Sequence, residues 1–182
     1  MNYRLWALIP LISFNSCQKN GNITQSSIVS GSDPYFKIVA HSDPDFESTN
    51  RKVDVFGIPI YAYAEVEDVK LLHAANIMAQ YLDNDEDGKV DNPLLIETLI
   101  ENHAALFMWE KMSQVNLNAQ DLGADESRPE WHTNGHIGQF DATLEEVWHV
   151  ISHTGYAHAY PTVFDEEAPT QLTEAIDRKS VV

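Results

Sequence analysis

The feature that most constrains the fold of this chain is a short acidic segment enclosed by two apolar ones. Residues 83–91 carry five carboxylates and one lysine. Apolar side chains recur at helical spacing before this segment, in residues 66–82, and after it, in residues 94–108. Asn92 suits the N-cap of the second helix and Pro93 its first position. The pattern predicts a helix–loop–helix, and the broad apolar face of its second helix is typical of a core helix.

The spacing within the acidic segment is typical of a calcium loop. If Asp83 is position 1, carboxylates fall at positions 1, 3, 5 and 9, and Gly88 lies at position 6, where such a loop turns sharply. Ca²⁺ takes about six to eight oxygen ligands, and alternating acidic side chains supply several of them. The candidate oxygen donors are Asp83, Asp85, Asp87, Asp91 and the carbonyl of Lys89.

These residues resemble the loops of EF-hand and dockerin-type proteins, and the resemblance implies calcium as the cofactor. The segment departs from that pattern at position 12, where Leu94 replaces a bidentate Glu. Glu97 is the nearest substitute, directly or through water. The alternative is a solvated acidic turn without an ion, because Asp87 followed by Gly88 is a common turn sequence.

Other segments indicate a small sheet. Residues 35–40, 53–56 and 60–63 have strand character, and residues 57–59 predict a hairpin turn between the last two. The polar residues 113–135 indicate a long loop. We therefore expect an α+β fold in one domain over residues 35–176. Its order is a small antiparallel sheet or hairpin, the EF-hand-like helix–loop–helix and a further His-rich helix.

The His-rich helix is the second candidate for chemistry. Glu145, His149 and His153 recur every four residues, so neighbours could share a metal ion, although one ion cannot reach both ends of the row. Residues 145–149 resemble the HExxH motif of zinc proteases with the first His replaced by Glu. That resemblance implies Glu146 as general base. Five of the eight histidines lie in residues 132–158, which retains zinc as a second candidate cofactor.

The same helix also has a purely structural interpretation. Thr143 and Glu146 have the spacing of a capping box, in which Thr143 is the N-cap and Glu146 reaches back to its N–H. Gly155 then suits a C-terminal cap. On this interpretation Glu146 has no catalytic role.

The remaining histidines give weaker signals. His132 and His136 lie four residues apart, but Gly135 and the polar residues around them favour a loop. His73 and His103 lie on the two predicted helices that flank the acidic segment, where a histidine is more often packed or on the surface than a ligand.

The N-terminus has the character of a secretory signal. In residues 1–16, Arg4 precedes an apolar run and a few small polar residues. Cys17, the only cysteine, stands where a bacterial lipoprotein is cleaved and lipidated, although Phe14 replaces a smaller residue of that motif. Cleavage by an ordinary signal peptidase is the alternative. Residues 17–34 indicate a flexible tether. We therefore expect an exported chain that is lipid-anchored through Cys17 or secreted.

The last six residues resemble a sequence of artificial origin. Residues 177–182 match the translation of a common sequencing adapter that is followed by a stop codon. We expect that they are a sequencing artefact and that the natural chain continues beyond residue 176.

The charge balance limits the partners. A net charge of −17, from 28 acidic and 11 basic residues, disfavours binding to nucleic acid and to an anionic membrane surface. Membrane contact is therefore expected only through a lipid anchor.

Residues 55–58, 81–85 and 155–157 resemble exported proteins of aquatic microbes, which implies export but no reaction. The sequence favours a calcium-binding surface or interaction module whose partner is a protein or surface ligand. The alternative is a zinc-dependent hydrolase with part of its site missing.

Overall fold

A mixed sheet of five strands organises the fold, and the computed structural model describes residues 35–166 and 169–179. In spatial order the strands are β1 (Val39–Ala40), β2 (Arg51–Val55), β3 (Ile58–Ala62), β4 (Leu106–Trp109) and β5 (Gln120–Gly123). The first three are antiparallel, whereas β3, β4 and β5 are parallel. Helices accompany this sheet, so the predicted α+β class is confirmed, with a mixed sheet rather than a purely antiparallel one.

The predicted hairpin is formed by β2 and β3, with Val55 opposite Ile58. Its turn lies one residue earlier than expected. Phe56 and Gly57 have φ values of 52° and 90°, and the Asp54 side chain accepts the Gly57 N–H at 2.9 Å. Positive φ at both central residues matches the twist of a tight hairpin. The predicted strand over residues 35–40 pairs only at β1.

The connection from β3 to the parallel strand β4 contains the predicted helix–loop–helix. Helix α1 spans Asp68–Leu82 and helix α2 spans Pro93–Glu101. The Asn92 side chain accepts the N–H of Leu95 at 3.2 Å, and Pro93 is the first helical residue. The predicted N-cap is therefore confirmed, because Asn92 bonds one of the N–H groups that have no partner within the helix.

Two predicted elements in this part of the chain were too long. The apolar face that continued to residue 108 belongs to α2 only as far as Glu101, since His103 has a φ of 54° and the chain then enters β4. A buried parallel strand is apolar on both faces, so its sequence looks like a buried helix segment. The predicted loop over residues 113–135 contains β5 and the short helix α3 (Pro129–Thr133).

The C-terminal part of the described chain is helical. One continuous helix begins with α4 (Thr143–His149), passes through a π-helical segment (Val150–Tyr156) and ends with α5 (Ala157–Ala159). Two further helices are α6 (Pro161–Phe164) and α7 (Gln171–Lys179). A 3₁₀ turn at Met112–Gln114 precedes β5. The π-helical segment is unusual, because such segments are rare and often lie at functional sites.

Both predicted caps of the His-rich helix were wrong. The residue before α4 is Ala142, and the Asp141 side chain, not Glu146, accepts the Thr143 N–H. The Glu146 carboxylate instead accepts from Gln120 at 2.6 Å. Gly155 lies inside the helix, where a Cβ would be only 2.6 Å from Leu95 Cδ1. Close packing, not a left-handed cap, therefore explains this glycine.

The core lies between the central strands, α1, α2 and the His-rich helix. Its largest fully buried side chains are Phe107, Ile58, Ile60, Leu71, Leu72, Met78, Leu95, Leu99, Leu106, Met108, Leu122 and Ile151. Among the described residues, no helix combines the length and the apolar character that crossing a membrane requires. The predicted signal, the tether and Cys17 lie outside the described residues, as do residues 180–182 of the predicted artefact.

Candidate metal centres

The acidic loop between α1 and α2 gathers three carboxylates. One oxygen each from Asp83, Asp85 and Asp91 lies within 4.8 Å of the other two. Asp83 follows the last residue of α1 and is 7% exposed, whereas Asp85 and Asp91 are exposed. The N–H of Asp91 donates to the carbonyl of Leu82 at 2.9 Å and returns the chain to the end of α1. Oxygens from both ends of the loop are thus close enough to contact one cation.

Backbone hydrogen bonds hold the Asp83 carboxylate in place. Its Oδ1 accepts the N–H of Asp87 at 3.1 Å, and its Oδ2 accepts the N–H of Gly88 at 2.8 Å. Gly88 has a φ of 84° and Glu86 a φ of 59°, so the chain turns sharply where the calcium-loop pattern has its glycine. Because a carboxylate has about four acceptor positions, Asp83 retains acceptor capacity for a cation.

The loop contains a repulsion that a divalent cation would relieve. The N–H of Asp87 lowers the pKa of Asp85, but the charges of Asp87, Asp91 and Asp83, with some desolvation, raise that pKa overall. A raised pKa means that the ionised form is disfavoured by its surroundings. A bound cation reverses this balance, because it becomes the largest local charge.

The other predicted ligands lie beside this group. The Asp87 Oδ2 is 3.1 Å from Lys89 Nζ, and its Oδ1 accepts the Lys89 N–H at 2.9 Å. Lys89 is 81% exposed, so the ion pair is weak and Asp87 is free to exchange it for a cation. At position 12, Leu94 is 47% exposed and supplies no side-chain oxygen. Glu97 is exposed on α2 and lies outside the group of three carboxylates.

A groove of about 460 Å³ borders the acidic loop. Aromatic side chains from the start of the described chain and from the hairpin form one part of it, and loop residues form another. The lining residues are Tyr35, Phe36, Phe56, Asn76, Ala79, Gln80, Asp83, Glu86 and Gly88. An ion in the loop would therefore adjoin a partly apolar surface.

A second cluster brings together His73, His132 and Asp141. The Nε2 atoms of His73 and His132 lie 2.7 Å and 2.8 Å from the same oxygen, Oδ2 of Asp141. The two imidazole ring centroids are 5.3 Å apart. His73 lies in the middle of α1, His132 in α3 and Asp141 just before α4. Two neighbouring segments of the sequence and the distant helix α1 thus meet at one carboxylate oxygen.

The Asp141 carboxylate is completely buried and firmly held. Its side chain is 0% exposed, and its Oδ1 accepts the N–H of Arg128 at 2.8 Å and that of Thr143 at 3.2 Å. Burial by itself raises the pKa of Asp141, but hydrogen bonds from His73, Arg128, Thr143 and His132 lower that pKa well below its usual range. The carboxylate is therefore ionised, with one oxygen bound to backbone and the other facing the two imidazoles.

The side chains of the predicted row, Glu145, His149 and His153, do not converge on one point. The imidazoles of His149 and His153 are stacked with centroids 5.2 Å apart. Their nitrogens engage different carboxylates, since His149 Nδ1 lies 3.2 Å from Glu146 and His153 Nε2 lies 3.0 Å from Glu166. Within the described parts of the chain, Glu145 joins no group of three ligand atoms at metal-binding distances.

The surroundings of Glu146 disfavour the ionised form of its carboxyl. Burial raises the pKa of its carboxyl, and the contact with His149 lowers that pKa by a smaller amount. A raised carboxyl pKa is a property that general bases share with many half-buried structural acids. Here Glu146 accepts from Gln120 of β5 and so connects the helix to the sheet.

Sequence reasoning missed the cluster of His73, His132 and Asp141. No sequence pattern marks Asp141, and both histidines lie where packed, surface or loop residues are expected. The available signal was the crowding of histidines in residues 132–158. It could not identify His73, which lies far away in sequence on α1.

Comparison with known proteins gives no further assignment. No protein-family model matches the chain, and neither the search of curated proteins nor that of solved structures found a match. The candidate functions therefore depend on the geometry of these two clusters.

Proposed function

We propose that this chain is an exported calcium-binding module that presents a surface to a protein or other surface ligand. The single observation that carries the proposal is the convergence of Asp83, Asp85 and Asp91 within 4.8 Å at the end of α1. Oxygen ligands are the set that Ca²⁺ prefers, and the positions match the alternation of a calcium loop. Lipid anchoring through Cys17 is part of the proposal and concerns residues outside the described range.

The arrangement of the loop supports a role in stabilising the fold. Asp83 belongs to the end of α1, and Asp91 directly precedes the N-cap of α2. A cation that contacts both carboxylates would hold the two helices in their observed relation. It would also fix the wall of the groove to which Asp83, Glu86 and Gly88 contribute. We expect ligand binding at this surface to depend on calcium for that reason.

We expect weak binding, with a dissociation constant on the order of 10⁻⁴–10⁻³ M, because position 12 lacks its carboxylate. At a Ca²⁺ concentration tenfold above that constant, the free energy of unfolding should increase by about 1.4 kcal/mol. The melting temperature should then rise by roughly 5 °C. Differential scanning calorimetry in millimolar Ca²⁺ and in chelator measures this rise, and titration calorimetry measures the constant.

Two charge-matched variants make the experiment specific. Asp85→Asn removes a carboxylate of the convergent group, whereas Glu86→Gln removes the same charge from a residue outside it. We expect Asp85→Asn to weaken Ca²⁺ binding by about tenfold or more and Glu86→Gln to change it by less than about threefold. Equal melting temperatures with calcium and with chelator, or equal losses in both variants, would contradict the proposal.

A further inference from the structure

We propose that His73, His132 and Asp141 form a site for a divalent transition-metal ion, separate from the acidic loop and independent of the proposed function. The ion would be bound by two imidazole Nε2 atoms and by Oδ2 of Asp141. Imidazole suits Zn²⁺ and Fe²⁺ and is not the ligand that Ca²⁺ or Mg²⁺ selects. The acidic loop and this cluster therefore have different ion preferences.

The direction of the three ligand atoms is the first argument. Both Nε2 atoms approach one oxygen of Asp141, at 2.7 Å and 2.8 Å. The other oxygen is occupied by the N–H groups of Arg128 and Thr143, so the carboxylate cannot rotate to share the two imidazoles between its oxygens. Such backbone support of a ligating carboxylate is typical of metal centres.

The charge of the cluster is the second argument. Asp141 has a 0% exposed side chain, and its imidazole neighbours are 13% exposed at His73 and 31% exposed at His132. A buried carboxylate is costly unless a cation compensates it. Hydrogen bonds from the imidazoles and the backbone offset part of that cost, and a divalent cation bound by the three ligand atoms would add two positive charges next to the carboxylate.

The dimensions require only a small adjustment. At Zn–N distances of about 2.0–2.1 Å and tetrahedral angles, neighbouring ligand atoms are about 3.3 Å apart. The two nitrogens would therefore move away from Oδ2 by roughly half an ångström each. The more exposed side of the cluster is that of His132, so a fourth ligand position would open towards solvent on this side. Three protein ligands and one open position form the usual plan of a reactive zinc centre.

The test is metal binding by the full chain after its metal has been removed by chelation and dialysis. With Zn²⁺ as the probe, titration calorimetry and elemental analysis should give about one tightly bound ion per chain. Co²⁺ should produce visible absorption of a low-symmetry site and should be displaced by Zn²⁺. Ca²⁺ and Mg²⁺ at the same concentration should not displace it.

The variants locate the ion. His73→Ala and His132→Ala should each remove it, whereas His149→Ala, in the row that the sequence suggests, and the exposed His158→Ala should retain it. Asp141→Asn is the variant least disruptive to folding, because its amide oxygen can still accept the Arg128 and Thr143 N–H groups. Circular dichroism should show native helix content for Asp141→Asn while Zn²⁺ and the Co²⁺ absorption are lost.

Three results would overturn the inference. The first is no retained zinc in the unmodified chain. The second is zinc that persists in His73→Ala, His132→Ala and folded Asp141→Asn. The third is zinc lost on His149→Ala and not on His73→Ala, which would assign the ion to the His-rich helix. None of these results bears on calcium binding by the acidic loop, so the two proposals fail separately.

Discussion

At the scale of the residue, Gly155 carries a packing constraint that its neighbours in sequence do not reveal. It lies within the π-helical segment, and a Cβ at this position would be 2.6 Å from Leu95 Cδ1 and 3.0 Å from Leu99 Cδ2. Both leucines are buried residues of α2. The absence of a side chain therefore allows α2 and the His-rich helix to approach closely.

We expect Gly155→Ala to lower the free energy of unfolding, because overpacking against the two leucines costs about 1–3 kcal/mol. The higher helix propensity of Ala offsets roughly 1 kcal/mol of this cost. Chemical denaturation measures the change. The control is the same substitution in a Leu95→Ala background, where the closest contact is gone. There the cost of Gly155→Ala should fall, and an equal cost in both backgrounds would show that the close contact is not its cause.

Single residues also show where local pattern fails. The spacing of Thr143 and Glu146 predicted a capping box, yet Asp141 bonds the Thr143 N–H and Glu146 accepts from Gln120. Several nearby acids can bond a helix start, and the contact with β5 decides which of them does. Local sequence contains the candidates for the cap but not this tertiary contact.

At the scale of the element, the start of α2 combines two roles in Asn92. Its Oδ1 accepts the Leu95 N–H, and its amide donates to the hydroxyl of Tyr160 at 3.0 Å. Asn92 also follows Asp91 of the acidic loop directly. The side chain of Asn92 therefore connects the helix cap to the C-terminal helical region, and its backbone continues directly from the candidate ion site.

We expect Asn92→Ala to lower the free energy of unfolding by about 1 kcal/mol, the usual cost of a lost N-cap. Tyr160→Phe removes only the second contact, so its cost should be smaller than that of Asn92→Ala. Urea denaturation of both variants checks the comparison. If Tyr160→Phe costs as much as Asn92→Ala, the hydroxyl contact and not the cap accounts for the effect.

Elements with a strong local signal were predicted and elements without one were not. Helix α1, the start of α2 and the β2–β3 hairpin follow from apolar spacing, an Asn-Pro start and a Gly-containing turn. Strand β4 is a continuous apolar run, which a buried helix can also have. Strand β5 has a single large apolar side chain, Leu122, and gives almost no periodic signal.

At the scale of the whole molecule, the two candidate ion sites differ in whether their ligands could be predicted from the sequence. The acidic loop is contiguous, so its ligand spacing is visible in the chain. The second site draws on His73, His132 and Asp141, which come together only because α3 and the segment before α4 pack beside α1. A site assembled by tertiary packing has no spacing rule that a single sequence can display.

The position of the acidic loop has a consequence for the order of folding. Strand β3 pairs in parallel with β4 only after the chain has passed through α1, the loop and α2. Closing so long a connection costs conformational entropy before the strand pair forms. An ion held by Asp83 and Asp91 would order the middle of this connection in advance and reduce that cost.

Calcium should therefore accelerate refolding more than it slows unfolding. Stopped-flow kinetics at a Ca²⁺ concentration tenfold above the dissociation constant should show a refolding rate higher by up to about tenfold, the full kinetic equivalent of about 1.4 kcal/mol. Asp85→Asn should lose most of the acceleration because it binds Ca²⁺ more weakly, and a calcium effect confined to the unfolding rate would place loop ordering after the rate-limiting step. On this view the ion shortens the search for the β3–β4 pairing, so the same unfolded chain would complete its sheet faster where calcium is abundant than where it is scarce.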